Sequence, residues 1–594
     1  MAKIYNEIKF LFVLKFIILI PLNALAQTSN LELYDQTSEV NNTMIHYNAD
    51  KGSIIRFYSV ASNANTYGTH FEENNYNTPE RRERLLTLIE EYQKTLKSLD
   101  FYSMNINGKV DYILFNQNLK NENTELLQEQ KKYNKIKVYF PFEDKIYALE
   151  KPRRRGANVN GEEVAKEMNT LCKTIKEQIK TVDKIAGLDK ESSNYAELHS
   201  KSLQKILKNY YDFYNGYDPL FTWWVPKTYS ELDGLLTEYG TLLKSKKVET
   251  SSQKDDGCGI VGNPIGREEL IRQLETEFIP YSPEELVNIA NKEFAWCDVE
   301  LIKASKEMGF GDNWKAAQEK VKNSFVAPGN QPQAMMDLYN QSVDFLKEND
   351  LLTIPPFAEE TWRMYMMSPE AQKVNPFFLG GESMIISYPT NAMSYDQKMM
   401  SMRGNNPNFS RATIHHELIA GHHLQQFMND RYKSYRHFDT PFWVEGNSLY
   451  WEMLLWDLKF PKTPQDRIGM LFWRMHRCAR IIFSLNYHLG KWTPPQCIDF
   501  LVDRVGHERA NAEGEVRRSF EGGYSPLYQI AYMLGGLQFM ALKNELVTTG
   551  KMSYKEYHDA ILHENSMPIE LLRAILTNQK LDRDFKTNWK FYKF

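Results

Sequence analysis

The sequence is short of cysteine. Its 594 residues include only five, which are widely spaced and form no CxxC pair: Cys172, Cys258, Cys297, Cys478 and Cys497. So few thiols cannot build the dense disulfide framework of a small secreted domain, although an oxidising compartment permits one or two bridges. Because the number is odd, at least one thiol is expected to lack an intrachain partner.

An excess of basic charge is also missing. The 72 lysines and arginines are outnumbered by 76 acidic residues, and the formal net charge is -4 at pH 7. Such a balance gives no reason to expect a nucleic acid partner. The densest basic run, Arg153 to Arg155, lies between a proline and a glycine, which predicts a solvated loop. Contact with a substrate carboxylate is the alternative.

Long apolar runs are absent after the N-terminus, since no later segment approaches the roughly 20 apolar residues that a membrane span needs. At the N-terminus, three lysines precede the run FIILIPL, and Ala24-Leu25-Ala26 has the spacing that signal peptidase recognises. Residues 1 to 26 are therefore predicted to be a cleaved signal peptide, with an uncleaved anchor as the alternative. Its loss removes three lysines and one glutamate and moves the net charge to -6. We expect a periplasmic or secreted protein without stable membrane insertion.

The mature chain is too long for one compact core, so two or more subdomains are expected. Between residues 243 and 266, polar residues and then four glycines replace the apolar periodicity. This change predicts a boundary between an N-terminal helical region, residues 27 to 255, and a catalytic helical region, residues 256 to 594. A long surface loop inside one domain would give the same pattern.

Most of the mature chain carries helix signals. Thr78-Pro79-Glu80 combines an N-cap, a first-turn proline and an acidic residue before apolar residues spaced three and four apart. Similar starts occur at Ser282-Pro283, Thr493-Pro494 and Ser553-Tyr554. Alternation of apolar and polar residues, which would indicate strands, is scarce. The best strand or hairpin candidate is residues 137 to 149 (KVYFPFEDKIYAL), and Pro141 limits it to the edge of a sheet. The sequence thus predicts a mainly α fold with minor β-hairpin content.

Four of the 13 histidines fall within nine positions, in HHELIAGHHLQQ, residues 415 to 426. The stretch nearly matches HExxH, in which one helical face presents two imidazoles to zinc. Here His416 and His422 are six apart, which on an ideal helix means about 9 Å of rise and a rotation to the wrong face. Two arrangements remain: His416 pairs with His423, nearly in phase but about 10.5 Å along the axis, or the helix breaks within Ile419-Ala420-Gly421.

We prefer the break, because Gly421 stands where it is needed and glycine adopts backbone conformations closed to other residues. His416 and His422 are then the predicted metal ligands. His415 and His423 are expected to support the ligands or to contact the substrate.

A hydrolytic zinc site needs a third protein ligand and an open position. Glu445 begins a second apolar helical pattern, FWVEGNSLYWEMLLW, and is our choice for that ligand. Glu452, two turns further along the same face, is the reserve ligand or the partner that orients a histidine. Glu417, next to the first ligand, is expected to act as general base, with one zinc ion per chain.

HHELIAGHHLQ followed by VEGNSLYWE resembles the HExxPGHHxQ and EGWALYxE pair of the bacterial domain-of-unknown-function family 885, a group of zinc-peptidase-like proteins. The likeness extends over about residues 260 to 570, including GNPIGREELIRQLE, RCARIIFSLNYHLGKWT and EVRRSFEGGYSPLYQIAYMLG. It implies a large, mainly α fold with a deep cleft, related to the gluzincin metallopeptidases.

Position by position, the resemblance matches His416 and His422 to the family's histidine ligands, Glu417 to its base and Glu445 to its carboxylate ligand. The sequence departs from the pattern at Ala420, where proline is usual, and at Asn447-Ser448, where Trp-Ala is usual. The missing proline bears on where the backbone breaks, while every proposed ligand and the base are kept.

The C-terminal stretches of this likeness supply further candidates. Peptide hydrolysis passes through an oxyanion that needs a donor, and Tyr532, His488 and Tyr528 are the candidates for that role or for substrate contact. Arg517 and Arg518 are candidates to bind a peptide's terminal carboxylate in bidentate fashion. Simple packing and surface ion pairs are the alternatives for these residues.

The whole pattern predicts an exported zinc metallopeptidase that hydrolyses short peptides, as a carboxypeptidase or dipeptidase. A zinc hydrolase of non-peptide amides or esters would use the same ligands and a different pocket. A non-catalytic binding or scaffold protein would keep the fold and gain nothing from Glu417.

Overall fold

The computed structural model describes residues 36–65, 68–72, 78–248, 258–373, 377, 380–436, 438–521 and 523–593. The predicted signal peptide lies outside these residues. The described chain is mainly α-helical, as the sequence predicts. It divides into a smaller unit, residues 42–100 and 115–254, and a larger unit, residues 101–114 and 255–594 with the segment up to 41.

The smaller unit is formed by the following elements, of which α3 begins in the larger unit: α1 (Asn41–Phe57), β1 (Val60–Asn65), β2 (Gly68–Glu72), α2 (Pro79–Ser98), α3 (Ile106–Ile136), α4 (Glu143–Arg153), α5 (Gly161–Val182), α6 (Lys190–Tyr214), α7 (Pro219–Trp224) and α8 (Pro226–Ser245). β1 and β2 form an antiparallel hairpin. Apolar residues at helical spacing in α5, such as Met168, Leu171 and Ile175, are fully buried, and α5 packs against α7 and α8.

Two predictions in the smaller unit are wrong. Residues 137 to 149 form a short turn (Lys137–Tyr139) and the start of α4 rather than a strand or hairpin. Within α4 the buried residues are Glu143, Ile146 and Glu150, spaced three and four apart, so the burial follows a helical period. The run Arg153 to Arg155 is not a fully solvated loop either, because Arg153 and Arg154 both pair with the buried carboxylate of Glu150.

The larger unit contains α9 (Gly266–Thr276), α10 (Pro283–Glu307), α11 (Trp314–Lys322), α12 (Gln331–Glu348), α13 (Pro356–Thr361), β3 (Arg363–Met366), β4 (Ser383–Ile386), α14 (Tyr395–Gly404), α15 (Pro407–Glu417), α16 (His422–Asn429), α17 (Pro441–Asp457), α18 (Pro464–His488), α19 (Pro494–Phe500), α20 (Arg509–Glu521), α21 (Tyr528–Leu546), α22 (Tyr554–Leu562) and α23 (Ile569–Leu576). β3 and β4 pair in parallel.

The helix starts predicted at Thr78, Ser282, Thr493 and Ser553 are confirmed at α2, α10, α19 and α22. Among the described residues, no helix is both long and apolar enough to cross a bilayer. All five cysteines are unbridged.

Helix α18 runs through the centre of the larger unit and is buried along almost its whole length. It crosses α15 at Gly469, where a Cβ atom would lie 2.1 Å from the carbonyl oxygen of Asn408. Only a residue without a side chain permits this approach. The crossing sets the histidine-bearing end of α15 beside the middle of α18.

Candidate metal centre

The helix that carries His416 ends one residue later. α15 stops at Glu417, the backbone of Leu418 leaves helical geometry, and α16 begins at His422. The predicted break is therefore present and lies between residues 418 and 421. It brings the imidazole rings of His416 and His422 to a centroid distance of 4.8 Å, at 87° to each other.

Gly421 permits this break through the absence of a side chain. A Cβ atom at this position would lie 1.8 Å from the carbonyl oxygen of His416. Its φ of -88° is outside the left-handed region. The position requires close contact between two backbone segments rather than a positive φ.

His416, His422 and Glu445 meet at one point. The Nε2 atoms of His416 and His422 lie 3.3 Å and 3.2 Å from Oε2 of Glu445. One potential ligand atom from each of the three residues lies within 4.8 Å of the other two. Two imidazoles and a carboxylate are a donor set that suits zinc, so the residues present fit the predicted ion.

Burial and mutual pairing set the charges in this cluster. Burial alone would raise the pKa of Glu445, but the two imidazoles bring it well below its ordinary value. Burial alone would lower the pKa of His416, yet its bonds to Glu445 and Glu452 raise it to about 9. The carboxylates thus hold positive charge at the point where a divalent cation would replace a proton.

Glu452 supports His416 from the other side of the ring. Its Oε1 lies 2.7 Å from Nδ1 of His416 and 3.3 Å from Nη2 of Arg477. Burial tends to raise the pKa of Glu452, but Arg477 and His416 outweigh it, so the pKa is lowered. Of the two roles considered for Glu452, the geometry favours the orienting one, because Nε2 of His416 is left facing Glu445.

Two tyrosines of α21 bind the remaining oxygen of Glu445. The hydroxyl of Tyr532 donates to Oε1 at 2.8 Å, and the hydroxyl of Tyr528, one turn earlier, donates to the same atom. Oε2 is therefore the oxygen that faces the two imidazoles. Both tyrosines stand at the site, as the sequence analysis predicted, and their observed contact is with a candidate ligand.

A close crossing of α17 and α21 fixes this arrangement. A Cβ atom on Gly446 would lie 2.5 Å from Cα of Gly535, and one on Gly535 would lie 2.1 Å from the carbonyl oxygen of Phe442. The two helices therefore touch backbone to backbone beside Glu445. This contact holds the carboxylate within reach of both tyrosines.

The cluster faces a cavity of about 610 Å³. Glu417 lines this cavity next to Gly380, where a Cβ atom would lie 2.3 Å from Oε2 of Glu417. Burial raises the pKa of Glu417, and the imidazoles of His422 and His416 partly oppose the shift. A carboxyl with a raised pKa beside a cavity is typical of a group that exchanges protons with a ligand.

Several predicted residues lie elsewhere. His423 does not line the cavity, because its Nε2 donates to the carbonyl oxygen of Ala358 at 2.7 Å. His488 ends α18 and packs its ring near Phe520, away from the cavity lining. Arg517 bonds to Gly259 and Glu521 instead of facing the site. The structure does not bring these three side chains to the cavity wall, so it gives no support to the roles predicted for them in substrate or oxyanion binding.

His415 is fully buried, with its ring edge against Phe460 at a centroid distance of 5.9 Å. Of the two predicted arginines, only Arg518 lines the cavity. The sequence analysis missed Arg477 and Arg480, which line it as well. Their signal was a row of three arginines spaced three residues apart, Arg474, Arg477 and Arg480, in the largely apolar segment MLFWRMHRCARIIFSL.

The family model described as "Bacterial protein of unknown function (DUF885)" matches residues 63–576, and the chain belongs to this family. The search among curated proteins finds no match.

Two solved structures share the fold. One is described as "a putative lipoprotein of unknown function from Shewanella oneidensis", with a TM-score of 0.63 and 16% identity over 91% of this chain and 99% of that one. The other is "the putative lipoprotein from Colwellia psychrerythraea", with a TM-score of 0.54 and 14% identity over 91% and 97% of the two chains. At such identities, the likeness shows a common fold and nothing about activity.

Proposed function

We propose that the protein is a zinc-dependent hydrolase that cleaves peptide bonds in short peptides. One observation carries the proposal: His416, His422 and Glu445 present three ligand atoms within 4.8 Å of one another at the wall of a cavity. His416, His422 and Glu445 would hold the ion, and when bound it polarises a scissile carbonyl and acidifies water.

Glu417 is the proposed general base. Its carboxylate lines the same cavity beside the cluster, and its raised pKa favours a group that takes a proton and later returns it to a leaving amine. A non-catalytic scaffold protein would not need a buried carboxyl group beside the metal cluster. Burying one without use costs stability.

Tyr532 and Tyr528 have two proposed roles. Their hydroxyls hold Oε1 of Glu445 and so orient the candidate ligand. Both also line the cavity, where a phenol whose single O–H turns away from Glu445 can donate to the oxyanion of a substrate.

The size of the cavity supports a short substrate. About 610 Å³ is in the range of pockets that take small ligands, and it holds a few residues of extended peptide but no folded protein. The N-terminal sequence pattern and the lipoprotein descriptions of the two similar structures support an exported location, periplasmic or secreted.

The test of the metal site is elemental analysis of purified wild-type protein, His422→Ala and His423→Gln after zinc reconstitution. We expect about one zinc per chain in the wild type and in His423→Gln, and none in His422→Ala. His423→Gln is the matched control, because it changes the neighbouring histidine and its amide can still donate to Ala358. Loss of zinc only in His423→Gln would refute the ligand set.

The test of the reaction is product mass spectrometry on a library of short peptides, acyl-amino acids and simple esters. Peptide products from the wild type, absent with zinc-loaded Glu417→Gln, would support the peptidase. Turnover of esters or non-peptide amides alone would replace it with a different hydrolase. A wild type that binds zinc and turns over nothing would favour a binding protein.

A further inference from the structure

Three buried arginines line the cavity that the metal cluster faces. They are Arg477 and Arg480 of α18 and Arg518 of α20, whose side chains are only 5%, 2% and 9% exposed. A guanidinium group is always charged and is rarely buried without a partner, since an unpaired buried charge costs several kcal/mol. The partners of these groups therefore matter.

The protein supplies fewer carboxylates than guanidinium groups on this wall. Glu515 forms a bidentate pair with Arg480, at 2.7 Å and 3.0 Å. Glu452 lies 3.3 Å from Arg477 but is shared with His416. Arg518 lies 3.9 Å from Glu515, which is beyond hydrogen-bond distance. One positive charge is left over on this wall of the cavity.

Each guanidinium group also has a spare donor. Within the described part of the chain, Nε of Arg477, Nη1 of Arg480 and Nε of Arg518 are buried and have no hydrogen-bond partner. Buried donors are almost always satisfied in a folded protein. Unsatisfied donors add to the cost of leaving the charge on this wall unbalanced. The surplus positive charge fits an anionic group of a ligand in the cavity, and a planar carboxylate matches the guanidinium fork.

The ring of Tyr532 connects this wall to the metal cluster. The guanidinium carbons of Arg477 and Arg480 lie 4.6 Å and 4.3 Å from its centroid, and the ring of His416 lies 6.0 Å away and nearly parallel. An extended peptide covers this path with at most about three residues, at roughly 3.3–3.6 Å per residue.

We propose that Arg477, Arg480 and Arg518 bind the C-terminal carboxylate of the substrate, so that the enzyme releases short pieces from the C-terminal end of peptides. This inference rests on the proposed peptidase function and narrows its substrate class. Arg518 is the main anchor, because its own protein carboxylate is the most distant. Arg517, which the sequence analysis considered equally, points to other partners.

The experiment measures binding separately from cleavage. Zinc-loaded Glu417→Gln is titrated calorimetrically with acetyl-trialanine, its C-terminal amide, and an amidated peptide that carries one glutamate side chain. We expect the free carboxylate to bind about 10- to 100-fold more tightly than either amide, the effect of one lost hydrogen bond to a charged group. In the Glu417→Gln background, Arg518→Met should abolish the preference for the free carboxylate, and Arg518→Lys should keep part of that preference.

Arg517→Met is the matched control and should keep the full preference, and thermal melts show which variants are folded. Equal binding of acid and amide would overturn the proposal, as would tightest binding of the glutamate side chain or no binding at all. Peptide cleavage by the wild type is measured in parallel. If acids bind selectively but are not cleaved, the carboxylate site stands and the peptidase function fails. If acids and amides are cleaved at equal rates, the peptidase function stands and the carboxylate site fails.

Discussion

The Nδ1 atom of His416 lies 2.7 Å from Oε1 of Glu452, on the opposite side of the ring from the candidate metal. This contact fixes which ring nitrogen is available to a cation. It also links the cluster to α18, because Arg477 approaches the same carboxylate oxygen.

Removing the charge of Glu452 is expected to weaken zinc binding without removing a ligand. Glu452→Gln should lower the zinc affinity about 10- to 100-fold, since partners of a ligating histidine typically contribute that much. Competition with a chromogenic chelator measures the change. Glu513→Gln, at an exposed position of α20, is the control and should bind like the wild type. Unchanged affinity in folded Glu452→Gln would show that the contact does not tune the site.

Zinc binding is expected to release a proton from His416. The bonds to Glu445 and Glu452 hold the pKa of this imidazole at about 9 without the ion, so near neutral pH it is protonated and must lose that proton to bind. Calorimetry in buffers of different ionisation enthalpy should show about one proton released from His416, and this contribution should vanish as the pH rises through 9. A heat of binding that does not depend on the buffer would contradict this assignment.

The same shift predicts how the metal-free protein responds to pH. The folded pKa of His416 lies above its ordinary value of 6.5, so its contribution to stability is complete below 6.5 and is lost as the pH rises through about 9. Urea denaturation of metal-free wild type across this window should show the decline. His416→Gln should show a smaller decline, and an equal slope in both proteins would assign it to other groups.

A side chain at position 421 is expected to destroy the site. In Gly421→Ala the new Cβ would meet the carbonyl oxygen of His416 at 1.8 Å, so the chain must move by more than a rotamer change allows. We expect a loss of stability of at least about 3 kcal/mol together with loss of zinc. Gly234→Ala is the control, because no atom lies within 4 Å of a Cβ at this exposed position of α8. This exchange should add about 0.5–1 kcal/mol to the free energy of unfolding. A zinc-loaded Gly421→Ala of normal stability would be incompatible with the described break.

Tyr528 and Tyr532 are expected to act together through Glu445. Each single exchange to Phe removes one hydrogen bond to a charged oxygen and should cost about 1.5–3 kcal/mol of zinc binding, roughly 10- to 150-fold in affinity. The double variant should lose more than the product of the two, because each single variant keeps one donor that can still orient the carboxylate and the double variant keeps none. If zinc affinity is normal and only kcat falls, the hydroxyls serve the oxyanion instead.

The sequence predicted the parts of the site that depend on local structure. The spacing of His416 and His422 on either side of a glycine was enough to predict the helix break. Glu445 was found because it begins a second apolar helical pattern. The structure brings these three residues together, and their ligation stays a prediction.

The parts that depend on contacts between distant segments were not predictable in this way. Arg480 pairs with Glu515 across two different helices, 35 residues apart in the chain, and no local pattern encodes that contact. The direction of the His423 ring could not be predicted, because a one-residue difference on α16 decides whether a ring faces the cavity or Ala358. The strand prediction for residues 137 to 149 failed because a short apolar alternation also fits a turn followed by a helix.

The glycine contact between Gly446 and Gly535 has a consequence for how substrate preference can change. Glu445 and both tyrosines lie on two helices whose crossing cannot accept a larger side chain, so the glycine pair constrains this part of the cavity. The lining also includes Ile385, on the short strand β4. Divergence among family members, or laboratory evolution toward other peptides, is expected to change residues around Ile385 and to spare the glycine pair.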